Sequence, residues 1–143
     1  MQRLDSVNVC VHWEAGYVVA VELAGACNTH CTASKQIRQY LKCKRRTLDF
    51  PVKFRGTSFE KRVWKAAMDT AYAHTRTYGD IAKQIGHQSA YRAVGNALSK
   101  NPLLIKVPCH RVIKSDGSLG GFGSETWLKA ALLDLEGANF KGN

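Results

Sequence analysis

Residues 78–99, with the sequence YGDIAKQIGHQSAYRAVGNALS, carry the clearest structural pattern of this chain. Tyr78 to Ile85 has the spacing of a short helix, and Gly86-His87-Gln88 is typical of a turn. Ser89 to Ser99 then continues as a second helix with Ser89 as its N-cap. Two helices joined by a short turn containing glycine form a helix-turn-helix, a pattern that places its second helix in the major groove of DNA. The stretch therefore predicts a helical, DNA-binding region.

A lone cysteine follows this region closely. Asn101-Pro102 ends the second helix, and the apolar residues Leu103 to Val107 form a short strand that leads into Pro108-Cys109-His110-Arg111-Val112. A cysteine reacts as a thiolate, which requires a nearby base, cation or helix terminus. His110 is a candidate base, and Glu136, at the end of a last helix over Trp127 to Leu135, is a candidate group to orient its imidazole. A buried structural thiol is the alternative interpretation of Cys109.

The N-terminal third has a different pattern. Val7 to Trp13 and Tyr17 to Leu23 alternate apolar and polar residues around a turn, so they predict a β-hairpin, and Ala33 to Leu41 predicts a helix. Leu48 to Phe54 is compatible with an edge strand interrupted by Pro51. Gly56-Thr57-Ser58 reads as a boundary, with Ser58 as an N-cap. We therefore expect an α/β (α+β) protein with an N-terminal domain over residues 1–55 and a C-terminal domain over residues 56–143.

The charge of the chain points to a polyanionic partner. The formal net charge is +10, and the stretch from Lys35 to Lys114 holds eighteen Lys and Arg residues against four acidic ones. A merely soluble basic protein is the alternative. Because no run of eighteen apolar residues and no signal-peptide layout occurs, we expect no membrane partner and an intracellular location, cytoplasmic in a prokaryote or nuclear in a eukaryote.

Five cysteines form an odd set, which argues against a complete disulfide framework. Ordinary reduced thiols are the preferred interpretation. A zinc site at Cys27, His30 and Cys31, with Cys10 or Cys43, is the alternative, although this spacing is not that of a zinc finger.

The second helix of the helix-turn-helix carries small residues. Ala90, Ala93 and Gly95 would let it lie deep in a groove, although packing against the partner helix also explains Gly95. Arg92 projects from the same helix and is a candidate to occupy the space of an extruded base, which base-modifying enzymes require because their target atom lies within the stack. A solvated surface arginine is the alternative.

The stretch Pro108-Cys109-His110-Arg111-Val112 resembles the active-site signature of the 6-O-alkylguanine-DNA alkyltransferases, also called methylated-DNA–protein-cysteine methyltransferases. The resemblance covers about residues 35–140 and implies a truncated, ribonuclease H-like N-terminal unit with a winged-helix-like C-terminal domain. Further motifs similar to those of the family follow in the same order: Gly56-Thr57-Ser58-Phe59 with Val63-Trp64, Thr77 to Ala82, Arg92 to Gly95, Asn101-Pro102, Gly117 to Phe122, and Leu132 to Gly137.

The resemblance also implies a reaction. An alkylated guanine is flipped out of double-stranded DNA, and the Cys109 thiolate takes its alkyl group in a single irreversible turnover without a required cofactor. His110 would act as a base through a water, Glu136 would orient it, and Asn101 would hold the turn before the active site. Tyr78 would assist extrusion and donate a proton to the departing guanine.

The same resemblance assigns two groups of contact residues and a monomeric protein. DNA contacts are expected at Tyr78, Ser89, Ala90, Tyr91, Arg92, Ala93 and Gly95. The guanine pocket is expected at Val112, Ser115, Gly120, Phe122 and Gly123. The chain departs from the family pattern at Tyr72-Ala73-His74, where a proline-tyrosine-glycine turn is more usual, and at Tyr91, where smaller residues are usual.

Two other functions remain open from the residues alone. A non-catalytic helix-turn-helix regulator would bind one preferred DNA site and leave its cysteine unmodified. A Cys-His-Glu hydrolase would turn over small acyl substrates.

Overall fold

The structure is a computed structural model that describes residues 4–121 and 126–141. It has a mixed α/β fold. The strands are β1 (Val9–Glu14), β2 (Tyr17–Leu23), β3 (Arg76–Thr77) and β4 (Val112–Ile113); the helices are α1 (Thr32–Leu41), α2 (Ser58–Ala67), α3 (Tyr78–Gln84), α4 (Tyr91–Ser99) and α5 (Thr126–Glu136); 3-10 turns lie at Leu4–Ser6 and Cys109–Arg111.

The chain divides into two units. The first holds the residues up to Arg55 together with Pro102–Lys106, and the second holds Gly56–Asn101 and the residues from Val107 onward. The sequence assigns 102–106 to the C-terminal domain, whereas in the structure this segment groups with the first unit. The reason is a backbone contact, since the amide of Val21 donates to the carbonyl of Pro102 at 2.7 Å.

The first unit is built on the predicted hairpin and helix, and both predictions are confirmed. β1 and β2 pair antiparallel. They are joined by a tight turn in which Ala15 and Gly16 both have positive φ, the backbone of a two-residue hairpin loop. Helix α1 covers the hairpin, so that Ile37 and Tyr40 are buried with strand residues such as Val9.

Two further predicted strands, Leu48 to Phe54 and Leu103 to Val107, reduce to single bridges. Val52 bridges Val18, and Leu103 bridges Val21. Pro51 has no N–H to donate, so only its carbonyl pairs, accepting from Val18 at 2.9 Å. Ile105 has a φ of +70°, which is not a strand conformation.

Two cysteines of the first unit differ from both sequence interpretations, whereas Cys31 and Cys43 are free thiols, as the preferred interpretation expects. Cys10 and Cys27 form a disulfide, so Cys27 is neither a reduced thiol nor a zinc ligand in this structure. Cys31 is the N-cap of α1, and its sulfur accepts a hydrogen bond from the amide of Ser34 at 3.4 Å. That capping role accounts for Cys31 without a metal.

Helix starts in the second unit lie close to the predicted ones, with two corrections. The N-cap of α2 is Thr57, not Ser58, because Thr57 and Glu60 form a reciprocal capping box. Helix α4 begins at Tyr91 with no side-chain cap. The amide of Ala90 donates to the carbonyl of His87 and closes a turn there, so Ser89 lies before the helix and does not cap it.

Three packing contacts organise this unit. Helices α3 and α4 pack together as predicted for a helix-turn-helix, and the indole of Trp64 in α2 donates to the carbonyl of Ala97 in α4 at 2.8 Å. β3 and β4 pair in parallel, with Thr77 opposite Ile113. Tyr78 and Lys114 directly follow the two strands, so the chain leaves this parallel pair at the same end at both residues.

The last helix, α5, buries Leu128, Leu132 and Leu133, but also Lys129 and Glu136. Lys129, Leu133 and Glu136 follow the i, i+4, i+7 spacing of one helix face. One apolar stripe therefore carries two charged residues into the interior. Among residues 4–121 and 126–141, no helix has the length and apolar character needed to cross a bilayer.

Candidate active site

Cys109 opens the 3-10 turn and is buried, with only 4% of its surface exposed. The side-chain amide of Asn101 donates to the Cys109 sulfur at 3.2 Å and to the carbonyl of Val107 at 3.0 Å. Asn101 therefore holds the segment before the nucleophile. Burial raises the pKa of Cys109, and the Asn101 hydrogen bond and the charge of Lys129 only partly oppose this. The resting group is a neutral thiol, so its reaction requires a base.

His110 and Glu136, separated by 26 residues, meet in the interior as the sequence predicts. The imidazole Nε2–H donates to Glu136 Oε2 at 2.7 Å, and both side chains are fully buried. This hydrogen bond favours the tautomer whose other nitrogen, Nδ1, carries the lone pair. Burial lowers the pKa of His110, against the opposing effect of Glu136. His110 is therefore neutral near pH 7 and able to accept a proton.

Arg111 is a member of this cluster that sequence reasoning missed. Its guanidinium donates from Nε to Glu136 Oε1 at 2.9 Å and from Nη2 to Oε2 at 2.8 Å. Its Nη1 donates to the carbonyl of Thr70 at 2.9 Å. The forked pair fixes the plane of the carboxylate that His110 contacts. The residue lay in the quoted signature, but nothing in the spacing showed which carboxylate it would reach.

The segment at Tyr72-Ala73 completes the surroundings of Glu136. The amide of Ala73 donates to Glu136 Oε1 at 3.0 Å. Ala73 has a φ of +66°, in the left-handed region that favours glycine. The proline-tyrosine-glycine turn that is usual in the family contains a glycine. The departure from it at Tyr72-Ala73-His74 was therefore a signal that this backbone has a left-handed conformation.

Lys129 is the second residue that the sequence prediction missed, and it is fully buried. Its ammonium donates to the hydroxyl of Tyr78 at 3.2 Å and to the carbonyl of Gly121 at 3.4 Å. Burial lowers the pKa of Lys129 to about 8, while the charge of Cys109 opposes that shift. A lysine inside the apolar stripe of α5 was the available signal, since lysine is almost never fully buried unless it is paired.

Tyr78 lies between two glycines. A Cβ at Gly120 would stand 2.7 Å from the Tyr78 hydroxyl, and a Cβ at Gly95 would stand 3.8 Å from its ring. Burial, followed by the charge of Cys109, raises the pKa of Tyr78. The hydroxyl therefore keeps its proton at neutral pH and can donate it.

A cavity of about 950 Å³ opens beside Tyr78. Three of the predicted DNA contacts line it, namely Tyr78, Tyr91 and Gly95, and so do Ser115 and Gly120 of the predicted guanine pocket. Val112, also of the predicted pocket, is buried in β4. The other predicted DNA contacts lie at or near the start of α4, where Ala90 is half-buried and the exposed residues are Ser89, Arg92 and Ala93. Phe122 and Gly123 lie outside the described residues.

The zinc interpretation finds no support in geometry. Within the described ranges, the group of side chains with ligand atoms close enough to share a metal is Cys10, His12 and Glu22, and Cys10 is in the disulfide. That group contains neither His30 nor Cys31.

Known proteins match this chain over the region that contains these site residues. The family profile described as "6-O-methylguanine DNA methyltransferase, DNA binding domain" matches residues 58–138. The inducible methylated-DNA–protein-cysteine methyltransferase of Bacillus subtilis is 48% identical over 101 residues, covering 71% of this chain and 56% of that protein. This chain therefore aligns with little more than half the length of that relative.

Solved structures agree with this match. Mycobacterium tuberculosis OGT, solved in complex with DNA, superposes with a TM-score of 0.82 at 38% identity, covering 90% of this chain and 86% of that one. An O6-methylguanine DNA methyltransferase from Methanococcus jannaschii superposes with a TM-score of 0.67 at 26% identity, covering 94% and 91%. The chain belongs to the 6-O-methylguanine-DNA methyltransferase family.

Proposed function

We propose that this protein repairs DNA by direct reversal, moving the alkyl group of a 6-O-alkylguanine to the sulfur of Cys109 once per molecule. The observation that carries the proposal is the buried array of Cys109, His110 and Glu136 beside Tyr78 and its cavity. Family membership and the likeness to a relative solved with DNA support it.

The first step is activation of the thiol. Neutral His110 accepts the proton of Cys109, through a water as the family resemblance implies, and the Glu136 carboxylate stabilises the imidazolium that forms. The ammonium of Lys129 stabilises the thiolate, in agreement with its lowering effect on the pKa of Cys109. These buried charges act in a region without solvent screening, where their effect is greatest.

The second step is in-line displacement at the alkyl carbon. A carbon–sulfur bond forms to Cys109 while the bond between the alkyl carbon and the guanine oxygen breaks. The departing guanine takes a proton from the Tyr78 hydroxyl, and the Lys129 ammonium, 3.2 Å away, stabilises the phenolate that results. Because the thioether product is stable, each molecule reacts once, and no metal or other cofactor is required.

The bound partner is double-stranded DNA that contains the alkylated guanine. The extruded base occupies the cavity beside Tyr78, with Val112, Ser115, Gly120, Phe122 and Gly123 forming the guanine pocket. Arg92 fills the vacated stack. The remaining DNA contacts are Ser89, Ala90, Tyr91, Ala93 and Gly95 on or before α4.

Four broader features belong to the same proposal. The second unit is winged-helix-like, and the first is a truncated ribonuclease H-like unit in which a hairpin and one helix remain. The protein acts as a monomer. Its location is cytoplasmic in a prokaryote and nuclear in a eukaryote.

Intact-protein mass spectrometry after mixing with a duplex that holds one 6-O-methylguanine tests the proposal. We expect a gain of one methyl group, stopping at one per molecule. Cys109→Ser should abolish the gain, whereas Cys31→Ser and Cys43→Ser, which remove the other two free thiols, should leave it unchanged. Duplex binding without any adduct would instead make the protein a non-catalytic DNA binder, and multiple turnover of acyl substrates would make it a hydrolase.

A further inference from the structure

Helix α1 in the first unit has two contrasting faces. Its buried face holds Ala33, Ile37 and Tyr40 against the hairpin. The opposite side carries Lys35, Arg38 and Lys42, whose spacing of three and four residues places them on one side of a helix. Lys44 follows in the turn after the helix. We call Lys35, Arg38, Lys42 and Lys44 the α1 basic face.

The α1 basic face is concave. Its four side chains line a cavity of about 510 Å³ together with His30, Cys31 and Gln39. All of these residues belong to the first unit, so this surface is distinct from the cavity beside Tyr78 in the second unit.

Among the described residues, no acidic side chain forms an ion pair with Lys35, Arg38, Lys42 or Lys44. No acidic residue occurs between Leu23 and Leu48, and Asp49, the next one, pairs with Arg45 at 3.2 Å. Arg38 has internal partners, since it donates to Asn28 and to the carbonyl of Thr29.

The three lysines differ from Arg38. Within the part of the chain that the structure describes, Lys35, Lys42 and Lys44 are exposed, and their side-chain ammonium groups make no hydrogen bond or ion pair. They are therefore available to an external anion.

We propose that the α1 basic face binds the phosphate backbone of duplex DNA and is a second DNA-binding surface, on the first unit. The inference rests on the proposed function in that it takes DNA as the partner. Lys35 and Lys42 are about 10 Å apart along the helix axis, a distance over which duplex DNA presents about six phosphate charges. Lysines act as point charges on flexible stems, which suits contacts to a uniform backbone rather than to base edges.

The test compares two variants that lose the same charge. The first is Lys35→Gln/Lys42→Gln/Lys44→Gln. The matched control, Lys53→Gln/Lys61→Gln/Lys65→Gln, removes three positive charges outside this face. The affinity of each variant for an undamaged duplex is measured at several salt concentrations, from low to physiological ionic strength.

Loss of three phosphate contacts reduces the slope of log affinity against log salt by about 2.7, at about 0.9 for each contact. The affinity gap between the unmodified protein and the first variant then shrinks by about 40-fold when the salt rises from about 50 to about 200 mM. We expect the control variant to keep the slope of the unmodified protein.

Equal slopes for the two variants would overturn the proposal, because total charge would then explain any effect. An unchanged slope in the first variant would overturn it as well, leaving the face merely solvated. Reaction with free 6-O-benzylguanine is measured alongside and should be the same for all three proteins. If that reaction fails in the unmodified protein, the proposed function fails, whereas the salt slopes still decide whether the α1 basic face binds DNA.

Discussion

The region around Glu136 and the start of helix α4 lie in the same unit but are built in opposite ways. Glu136, His110 and Arg111 are buried, and the last two donate hydrogen bonds to Glu136 before any substrate arrives. Arg92 and Tyr91 at the start of α4 are exposed. The proposed chemistry is thus organised in advance inside the protein, where reorganisation would be costly, whereas the proposed DNA-binding surface is left for the nucleic acid to complete.

Glu136→Gln gives the largest expected effect on this contrast. It leaves the buried Arg111 guanidinium without its counter-charge, so we expect a loss of about 3–5 kcal/mol in the free energy of unfolding. Alkyl transfer should slow by about 10²- to 10⁴-fold, since the base loses its orienting carboxylate. Urea denaturation and single-turnover kinetics measure the two effects. Glu14→Gln is the control, because its ion pair with Arg55 is half exposed and its loss should cost less than about 1 kcal/mol. Equal losses of unfolding free energy in both variants would show that the buried cluster stabilises the protein no more than a surface ion pair does.

Lys129→Met tests the buried ammonium. Removal of one preorganised charge beside the reacting atoms should slow transfer by about 10²- to 10³-fold. Lys129 is charged below pH about 8 and neutral above it, so the rate advantage of the unmodified protein over the variant should be largest below that pH and shrink above it. The thiol pKa of Cys109, followed by its alkylation with iodoacetamide across pH, should rise in the variant. A pH-independent rate ratio with an unchanged thiol pKa would make Lys129 a purely structural residue.

Arg92→Ala tests the exposed side of the contrast. We expect repair of a duplex to slow by about 10- to 100-fold, because unstacking the target base costs a few kcal/mol that an inserted side chain partly repays. Reaction with free 6-O-benzylguanine and the free energy of unfolding should stay unchanged. Rates on both substrates decide the matter, and a loss of equal size on the free base would reject the stack-filling role.

Ala73→Gly should have the smallest effect, and a favourable one. Glycine relieves about 1–2 kcal/mol of left-handed backbone strain, and the more flexible unfolded chain offsets about 0.4–1 kcal/mol of this. We expect a net gain of about 0.5 kcal/mol in the free energy of unfolding. The control Ala93→Gly, in the exposed face of α4, should lose about 1 kcal/mol. A destabilised Ala73→Gly protein would show that Ala73 is not strained.

The buried cluster also shows which site residues the sequence could predict and which it could not. Cys109, His110 and Glu136 were identified from a motif and a helix end, and the structure brings His110 and Glu136 into contact. Arg111 and Lys129 were missed because no motif names the buried group that each one meets, Glu136 for Arg111 and Tyr78 for Lys129. Local patterns fix helices and turns, whereas the pairing of buried charges depends on which elements meet.

The smaller errors also have physical causes. Ser58 and Ser89 have the chemistry of N-caps, but a capping box at Thr57 and a turn closed by His87 move each N-cap by one residue, to Thr57 and Ala90. The disulfide between Cys10 and Cys27 was missed because an odd number of cysteines does not specify which of them meet.

The two glycines beside Tyr78 set different limits on how this chain can vary. In a saturation library, position 120 should accept almost nothing, since a side chain there would meet the tyrosine hydroxyl at 2.7 Å and its φ is +73°. A Cβ at position 95 would stand 3.8 Å from the tyrosine ring, an ordinary van der Waals contact, so this position should accept alanine. A lineage derived from this protein could therefore alter the helix side of the cavity by single substitutions, whereas a change on the loop side would need Tyr78 to change with it.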